Sequence, residues 1–165
     1  MEGASLQALL FIGFVITQRL GELWLARRNT LRLLARGGRE VGAGHYPLIV
    51  ALHAGWVLAL LAFGWQSSLS TPWLAAYGVL QIFRVWIMVS LGPRWTTRII
   101  VIDEPLVRRG PHRFLSHPNY LLVGAELVVV PMTLGLPIIA FVFLALNAVV
   151  LTIRIKVENE ALAAD

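Results

Sequence analysis

Five apolar runs divide the chain, at about residues 6–25, 46–65, 72–91, 118–134 and 137–157. A helix needs roughly 20 apolar residues to cross a hydrocarbon core of about 30 Å. Four runs reach that length, and the run at 118–134 is on the short side. Pro47, Pro72, Pro118 and Pro137 each fall in the first turn of a run, where a missing N–H costs least. The pattern predicts an all-α protein of five transmembrane helices. Two short polar turns, QSSLST and LGLP, alternate with two long polar segments. The first of these, RRNTLRLLARGGREVGAG, predicts a short basic amphipathic helix lying on lipid headgroups, followed by a glycine-rich turn. The second spans residues 92–117 before the fourth helix. Within it TTRIIVID is rich in β-branched residues and predicts an extended stretch, and DEPLVRRGP predicts turns. A long ordered loop on a small bundle is more often functional than accidental. This one is expected to fold back over the cytoplasmic mouth of the helices.

Composition agrees with the pattern. The chain is 58% hydrophobic and 14% charged, against about 25% charged in soluble domains. It reads as one integral membrane domain over residues 1–165. With no cysteine, a disulfide framework, a thiolate nucleophile and a cysteine-based metal site are all excluded, and no metal site is expected. A net charge of +5 raises the question of nucleic acid, but the basic residues cluster beside the spans. Arg27, Arg28, Arg32, Arg36 and Arg39 follow the first run, Arg94, Arg98, Arg108, Arg109 and Arg113 follow the third, and Arg154 and Lys156 close the fifth. The N-terminal end and the two short turns hold no Lys or Arg. The positive-inside rule then puts the N-terminus outside and the C-terminus in the cytoplasm. No nucleic-acid partner is expected. The first run does not read as a cleaved signal, since it lacks a basic flank and carries Arg19 and Glu22. GAG at residues 42–44 is a poor phosphate loop with no strand before it.

Ionisable residues inside the runs carry the candidate chemistry. Arg19 and Glu22, His53, Arg84 and Glu126 sit on four different helices, roughly 5–12 Å from the cytoplasmic end. Charges in a membrane are costly, face the interior and pair. They read either as an ion-pair belt, with Arg19–Glu22 an i,i+3 pair, or as a pocket under the long loop. His53 is either hydrogen-bonded to a neighbour or a base. In RIKVENEAL, Arg154 and Glu158 stand at i,i+4 on one face. Alone they would make a solvated ion pair worth about 0.3–0.5 kcal/mol. The outer parts of the spans are nearly all apolar, Asn147 being an exception, which argues against an ion pathway. A purely structural subunit leaves the long loop without a purpose.

GPHRFLSHPNY followed by RIKVENEAL resembles the isoprenylcysteine carboxyl methyltransferase family, and more closely its small bacterial branch. The family pattern is matched at Gly110, Pro111, Arg113, His117, Pro118, Tyr120, Arg154, Ile155, Glu158 and Leu162. The chain departs at His112, where an aromatic is usual, at Ser116, where Arg is usual, and at Asn159, where a second acidic residue is usual. The resemblance covers residues 92–165. It implies a multi-span methyltransferase of the bacterial cytoplasmic membrane that uses S-adenosylmethionine in a cytoplasmic pocket closed by the C-terminal segment. Its lipophilic substrate would enter sideways from the bilayer. The cofactor-lining roles pass to His117, Tyr120 and Glu158, with Gly110, His112, Arg113 and Pro118 beside them. Glu158 suits ribose hydroxyls or an ammonium group, the Tyr120 ring suits a sulfonium, and free N–H groups after Pro118 suit a carboxylate. Arg154 or Arg84 could hold a carboxylate acceptor by a two-pronged pair. Glu126 or His53 could take the proton of a phenol or enol. The expected acceptor is a long-tailed phenol or enol, such as an alkylpyrone or alkylresorcinol, ahead of a prenylated cysteine carboxylate.

Overall fold

The computed structural model describes residues 5–163; the Leu162 and Ala163 side chains and residues 1–4, 164 and 165 lie outside that description. Helix α1, Leu6–Ala35, begins at Ser5, whose Oγ accepts from the Ala8 N–H at 3.4 Å, one of the donors a helix start leaves free. Nothing in the sequence stops the helix at the membrane edge. The expected span and the expected basic surface helix are therefore one helix of 30 residues, a correction to the reading above. It ends where Gly37 turns to φ +89° and the Gly38 N–H reaches back to the Leu33 carbonyl at 2.9 Å. A side chain at Gly38 would meet that carbonyl oxygen at 2.8 Å.

The glycine-rich segment holds a strand, β1, Arg39–Val41, which the sequence did not suggest. It pairs antiparallel with β2, Ile99–Val101, in the stretch expected to be extended, with Glu40 opposite Ile100. Helices α2, Tyr46–Gly64, and α3, Thr71–Leu91, follow, then α4, Pro118–Thr133, and α5, Pro137–Ala163. Single 3₁₀ turns occupy Ala43–His45, Gly92–Arg94 and Gly110–Arg113. Four helices, all but α4, are long and apolar enough to cross a membrane. With 16 residues, α4 is roughly 24 Å long.

α4 packs between α3 and α5 and is well buried, with Leu122, Glu126, Leu127 and Val130 inside. The core joins it to Phe11, Ile12 and Val15 of α1, Leu52, Trp56 and Leu60 of α2, and Tyr77 of α3. Outward faces carry large apolar groups such as Leu10, Phe14, Ile82 and Phe141, as helices in hydrocarbon require. The strand pair ties the segments that follow α1 and α3, and both strands touch α5. One end of the bundle thus collects the two basic segments, the start of α4 and the end of α5.

Candidate functional site

Two cavities meet at that end. The first, about 810 Å³, lies under the segment between α3 and α4. The second, about 480 Å³, runs down among α1, α2 and α5 and is nearly all apolar. Its rim includes Leu20, Leu23, Val50 and Leu58, all exposed, so it opens sideways between α1 and α2. Trp95, Asn119, Tyr120 and Arg154 line both cavities.

The start of α4 builds the shared wall. His117 is its N-cap, and Pro118 opens the first turn. This geometry stacks the His117 ring on Tyr120 with centroids 5.0 Å apart and planes 7° apart. The Tyr120 hydroxyl donates to Glu158 and accepts from Arg154 Nε at 2.8 Å. Arg154 and Glu158, expected as a direct pair, are instead bridged by this phenol. Arg154 Nη1 also donates to the Thr97 carbonyl at 2.9 Å, tying α5 to the loop. His117 Nδ1 lies 3.7 Å from Glu158 Oε2. The resemblance motifs, nearly forty residues apart, therefore form one cluster of His117, Tyr120, Arg154 and Glu158.

Not every expected residue belongs to that cluster. His112 and Pro118 line the first cavity, and so does the exposed Arg113. Burial, with His117 beside it, pushes the His112 imidazole below its ordinary pKa. Gly110 does not line either cavity. It sits against α3 with φ +58°, where a Cβ would come within 2.0 Å of Ser90 Oγ, so its smallness serves packing. The start of α4 also offers fewer donors than expected. Pro118 has no N–H, and the Tyr120 N–H is turned to the His117 carbonyl at 3.1 Å.

Glu126, Arg84, Arg19 and Glu22 form a second tier. Glu126 lies six residues beyond Tyr120 on α4, roughly 9 Å deeper. It is 0% exposed. It accepts from Arg19 at 2.6 Å, Gln81 at 3.0 Å, Arg84 Nε at 2.9 Å and Arg84 Nη2. A carboxylate has about four lone-pair sites, so none is left for an acceptor's proton. Arg84 also meets Glu22 at 2.8 Å, and Glu22 meets Arg19 at 3.1 Å. Gln18 and Tyr77 extend the network. The expected belt is thus present and spans α1, α3 and α4, one tier below the His117–Glu158 cluster. His53 lines the second cavity near it, with Nδ1 2.9 Å from the Ile49 carbonyl. Among the described residues no group of acidic and histidine side chains could hold a metal.

Sequence reasoning gave no role to Trp95 or to Asn119, although Asn119 stands out as a polar residue at the start of an apolar run. Asn29 on α1 donates to the Trp95 carbonyl at 2.9 Å, which fixes the loop over the bundle. Trp95 Nε1, Asn119 Oδ1 and His112 Nε2 are buried without a hydrogen-bond partner among the described residues. The loop is further held by Arg36 and Arg94, both on Glu104, and by Arg98 on Glu40 at 2.6 Å. The hydrogen bond from Arg94, and then the charge of Arg36, hold the Glu104 carboxyl below its usual range.

Comparison with known proteins agrees with this geometry. The chain is 35% identical to the uncharacterized protein YpbQ of Bacillus subtilis, over 93% of its own length and 95% of the relative's. It is 24% identical to an uncharacterized protein of Haemophilus influenzae, over 90% and 91% of the two lengths. No solved structure matches it. The pattern of one protein family matches residues 73–164, which include both motifs and the whole His117–Glu158 cluster. The chain belongs to the isoprenylcysteine carboxyl methyltransferase (ICMT) family.

Proposed function

We propose that the chain is a five-span membrane methyltransferase, N-terminus outside and C-terminus cytoplasmic, that methylates an oxygen of a lipophilic acceptor with S-adenosylmethionine. The observation that carries this reading is the wall of Trp95, Asn119, Tyr120 and Arg154 between a loop-side cavity and a bilayer-side cavity. Two reactants of opposite solubility need such a meeting point, and holding them in line contributes substantially to a displacement. The residues of the loop-side cavity fit the cofactor. Its buried, unpartnered His112 Nε2 and Asn119 Oδ1 await polar partners, since such groups are rarely left unpaired. Glu158 would accept from ribose hydroxyls or the ammonium group, and the Tyr120 face would meet the sulfonium. When bound, S-adenosylmethionine supplies an electrophilic methyl group.

The acceptor that fits best is a long-tailed carboxylate, which reverses the order expected from sequence. Arg154 stands at the shared wall, and a carboxylate is already ionised near neutral pH, so no base is needed. The two candidate bases for a phenol lie elsewhere: Glu126 is fully occupied by donors, and His53 lines the second cavity beside the deeper tier. A phenol or enol acceptor stays a second reading, because His53 Nε2 is free of the Ile49 contact.

Purified protein incubated with labelled S-adenosylmethionine and a panel of acceptors tests this. The panel is a long-chain fatty acid, farnesylated cysteine, a long-chain alkylresorcinol and short-chain versions of each. Methyl ester on the long-tailed acids is the expected product. Transfer to the resorcinol alone would make the phenol the acceptor. Equal rates on long and short tails would remove the bilayer route, and no transfer at all would overturn the activity.

A further inference from the structure

The bilayer-side cavity is not apolar throughout. Asn147 on α5 lines it and is 8% exposed. Its amide has no hydrogen-bond partner among the described residues. Trp56 on α2 lines the same cavity, is fully buried, and has an unpartnered Nε1. His53, three residues earlier on the same face of α2, points Nδ1 at the Ile49 carbonyl. That contact makes Nδ1 the N–H bearer and leaves Nε2 as an acceptor. A polar side chain within hydrocarbon is costly and calls for a partner. Here an amide, an indole N–H and an imidazole lone pair share one cavity without one.

Helix geometry places these groups relative to the transfer point. Asn147, Val150, Leu151 and Arg154 follow i, i+3, i+4, i+7 and all line the cavity, as one face of a helix must. Asn147 is therefore two turns, about 10 Å, deeper than Arg154. α2 and α5 run antiparallel, since Gly42 lies against Val157 and Gly55 against Phe143. Counting between those contacts sets Asn147 level with Ala51 and Leu52, close to the depth of His53. The neighbouring belt brings two arginines and two glutamates that pair with one another, so it presents no spare charge to a ligand.

We propose that Asn147, with His53 and Trp56, forms a second polar subsite that binds an uncharged hydrogen-bonding group in the acceptor's chain, about 10 Å from its methylated oxygen. A mid-chain hydroxyl, ester or amide has the right chemistry: it can accept from the indole or amide N–H, and a hydroxyl or amide can donate to His53 Nε2. The inference rests on the reading that the acceptor reacts at the Arg154 end. It narrows that acceptor from any long-tailed acid to one functionalised in mid-chain.

The test is equilibrium binding to the full chain in lipid nanodiscs, with stearate, a stearate hydroxylated in mid-chain, and one hydroxylated beside the carboxylate. The mid-chain hydroxyl should tighten binding at least tenfold over stearate, and the hydroxyl near the head should not. Asn147→Leu and Asn147→Ala should each bring the mid-chain hydroxy acid and stearate to equal affinity. Leu146→Ala, a change at an exposed neighbour on α5, should keep the preference. Equal binding by the unaltered protein, or a preference that survives both Asn147 variants, would mean that the amide is only hydrated and would overturn the subsite. Methyl ester formation is followed in parallel. Asn147-dependent binding without ester would leave the subsite standing and sink the methyltransferase reading. Ester formed equally on stearate and on the mid-chain hydroxy acid would do the reverse, and failure of all three acids to bind would overturn both.

Discussion

Replacing Arg84 by leucine tests what the buried belt is for. Arg84 is 4% exposed and serves two carboxylates: Glu22 at 2.8 Å through Nη1, and Glu126 through Nε at 2.9 Å and through Nη2. Without it, Arg19 is the one cation of the belt left for Glu22 and Glu126, and an uncompensated charge remains in hydrocarbon. Removing one partner of a buried pair costs about 3–5 kcal/mol, so Arg84→Leu is expected to destabilise the fold by that order. Glu126→Leu should cost a similar amount, because it leaves two arginines for Glu22. The double variant removes one charge of each sign. The Arg19–Glu22 pair, at 3.1 Å, stays balanced, so the double variant should lose less than the sum of the single ones. A coupling of about 2–3 kcal/mol is expected, the upper range for residues in direct contact. The assay is reversible unfolding in mixed micelles, followed by circular dichroism, for the four members of the cycle. Strict additivity would refute the reasoning. So would an Arg84→Leu protein of native stability that binds cofactor but does not turn over, since Arg84 would then act on the acceptor.

Other expectations follow from the same geometry. Glu158→Ala and His117→Ala should each weaken S-adenosylmethionine binding by tenfold or more, about 1.4 kcal/mol, in equilibrium binding of labelled cofactor, whereas the exposed Glu160→Ala should not. A reporter fused after Asp165 should be cytoplasmic and one within the 66–71 turn should be outside; the opposite result would put the loop-side cavity on the wrong face of the membrane. Gly110→Ala should cost on the order of 1–3 kcal/mol in the same unfolding assay, because φ is +58° and the new methyl would collide with Ser90. The Glu104 carboxyl titrates below its unfolded value, so its hold on the loop is complete above the ordinary carboxylate range and is lost as pH falls through the lowered value. Protease cleavage within residues 94–117 should therefore accelerate on acidification, and Glu104→Gln should remove that acid limb.

How much of this was legible depends on the physics that wrote it. Hydrophobic runs and prolines located all five helices, because hydrocarbon forces every backbone group into a helix and Pro sits where a helix begins. The paired motifs located the His117–Glu158 cluster. The glycine-rich end of the basic helix was legible, but its continuity with the first span was not, since the basic stretch is as good a helix former as the span itself and nothing before Gly37 and Gly38 separates the two. Strand β1 was hidden for a different reason. Three residues beside glycines carry no period, and their partner Ile99–Val101 lies some sixty residues away. Gln18 and Gln81 were visible as polar interruptions in apolar runs, and the network they serve could have been anticipated from them. Trp95 gave no such signal, because it lies in an irregular loop, and Asn119 showed as a polar residue whose role could not be read because it stands at the variable position of its motif.

The two tiers explain why one short helix carries so much of the polar chemistry. α4 is central and buried, so a polar residue on it meets protein rather than lipid. Tyr120 near its start reaches Arg154 and Glu158 of α5, while Glu126 one and a half turns later reaches Arg84 of α3 and Arg19 of α1. A residue at either position on a lipid-facing stretch would bear an unpaired charge or hydroxyl in hydrocarbon. The deeper tier locks α1, α3 and α4 together by charge. The upper tier can then present the shared wall with its hydrogen-bonding capacity only partly used. Arg19 of the lower tier lies over the Trp56 ring, 5.8 Å from its centroid, but the Trp56 Nε1 and the Asn147 amide hydrogen-bond to neither tier among the described residues, although both residues line the cavity that the lower tier borders. A belt built only for stability would have had no reason to leave them unpaired beside it. The asymmetry between a saturated Glu126 and an unpartnered Asn147 at similar depth therefore divides the buried polar residues into those that hold the bundle and those that face a ligand.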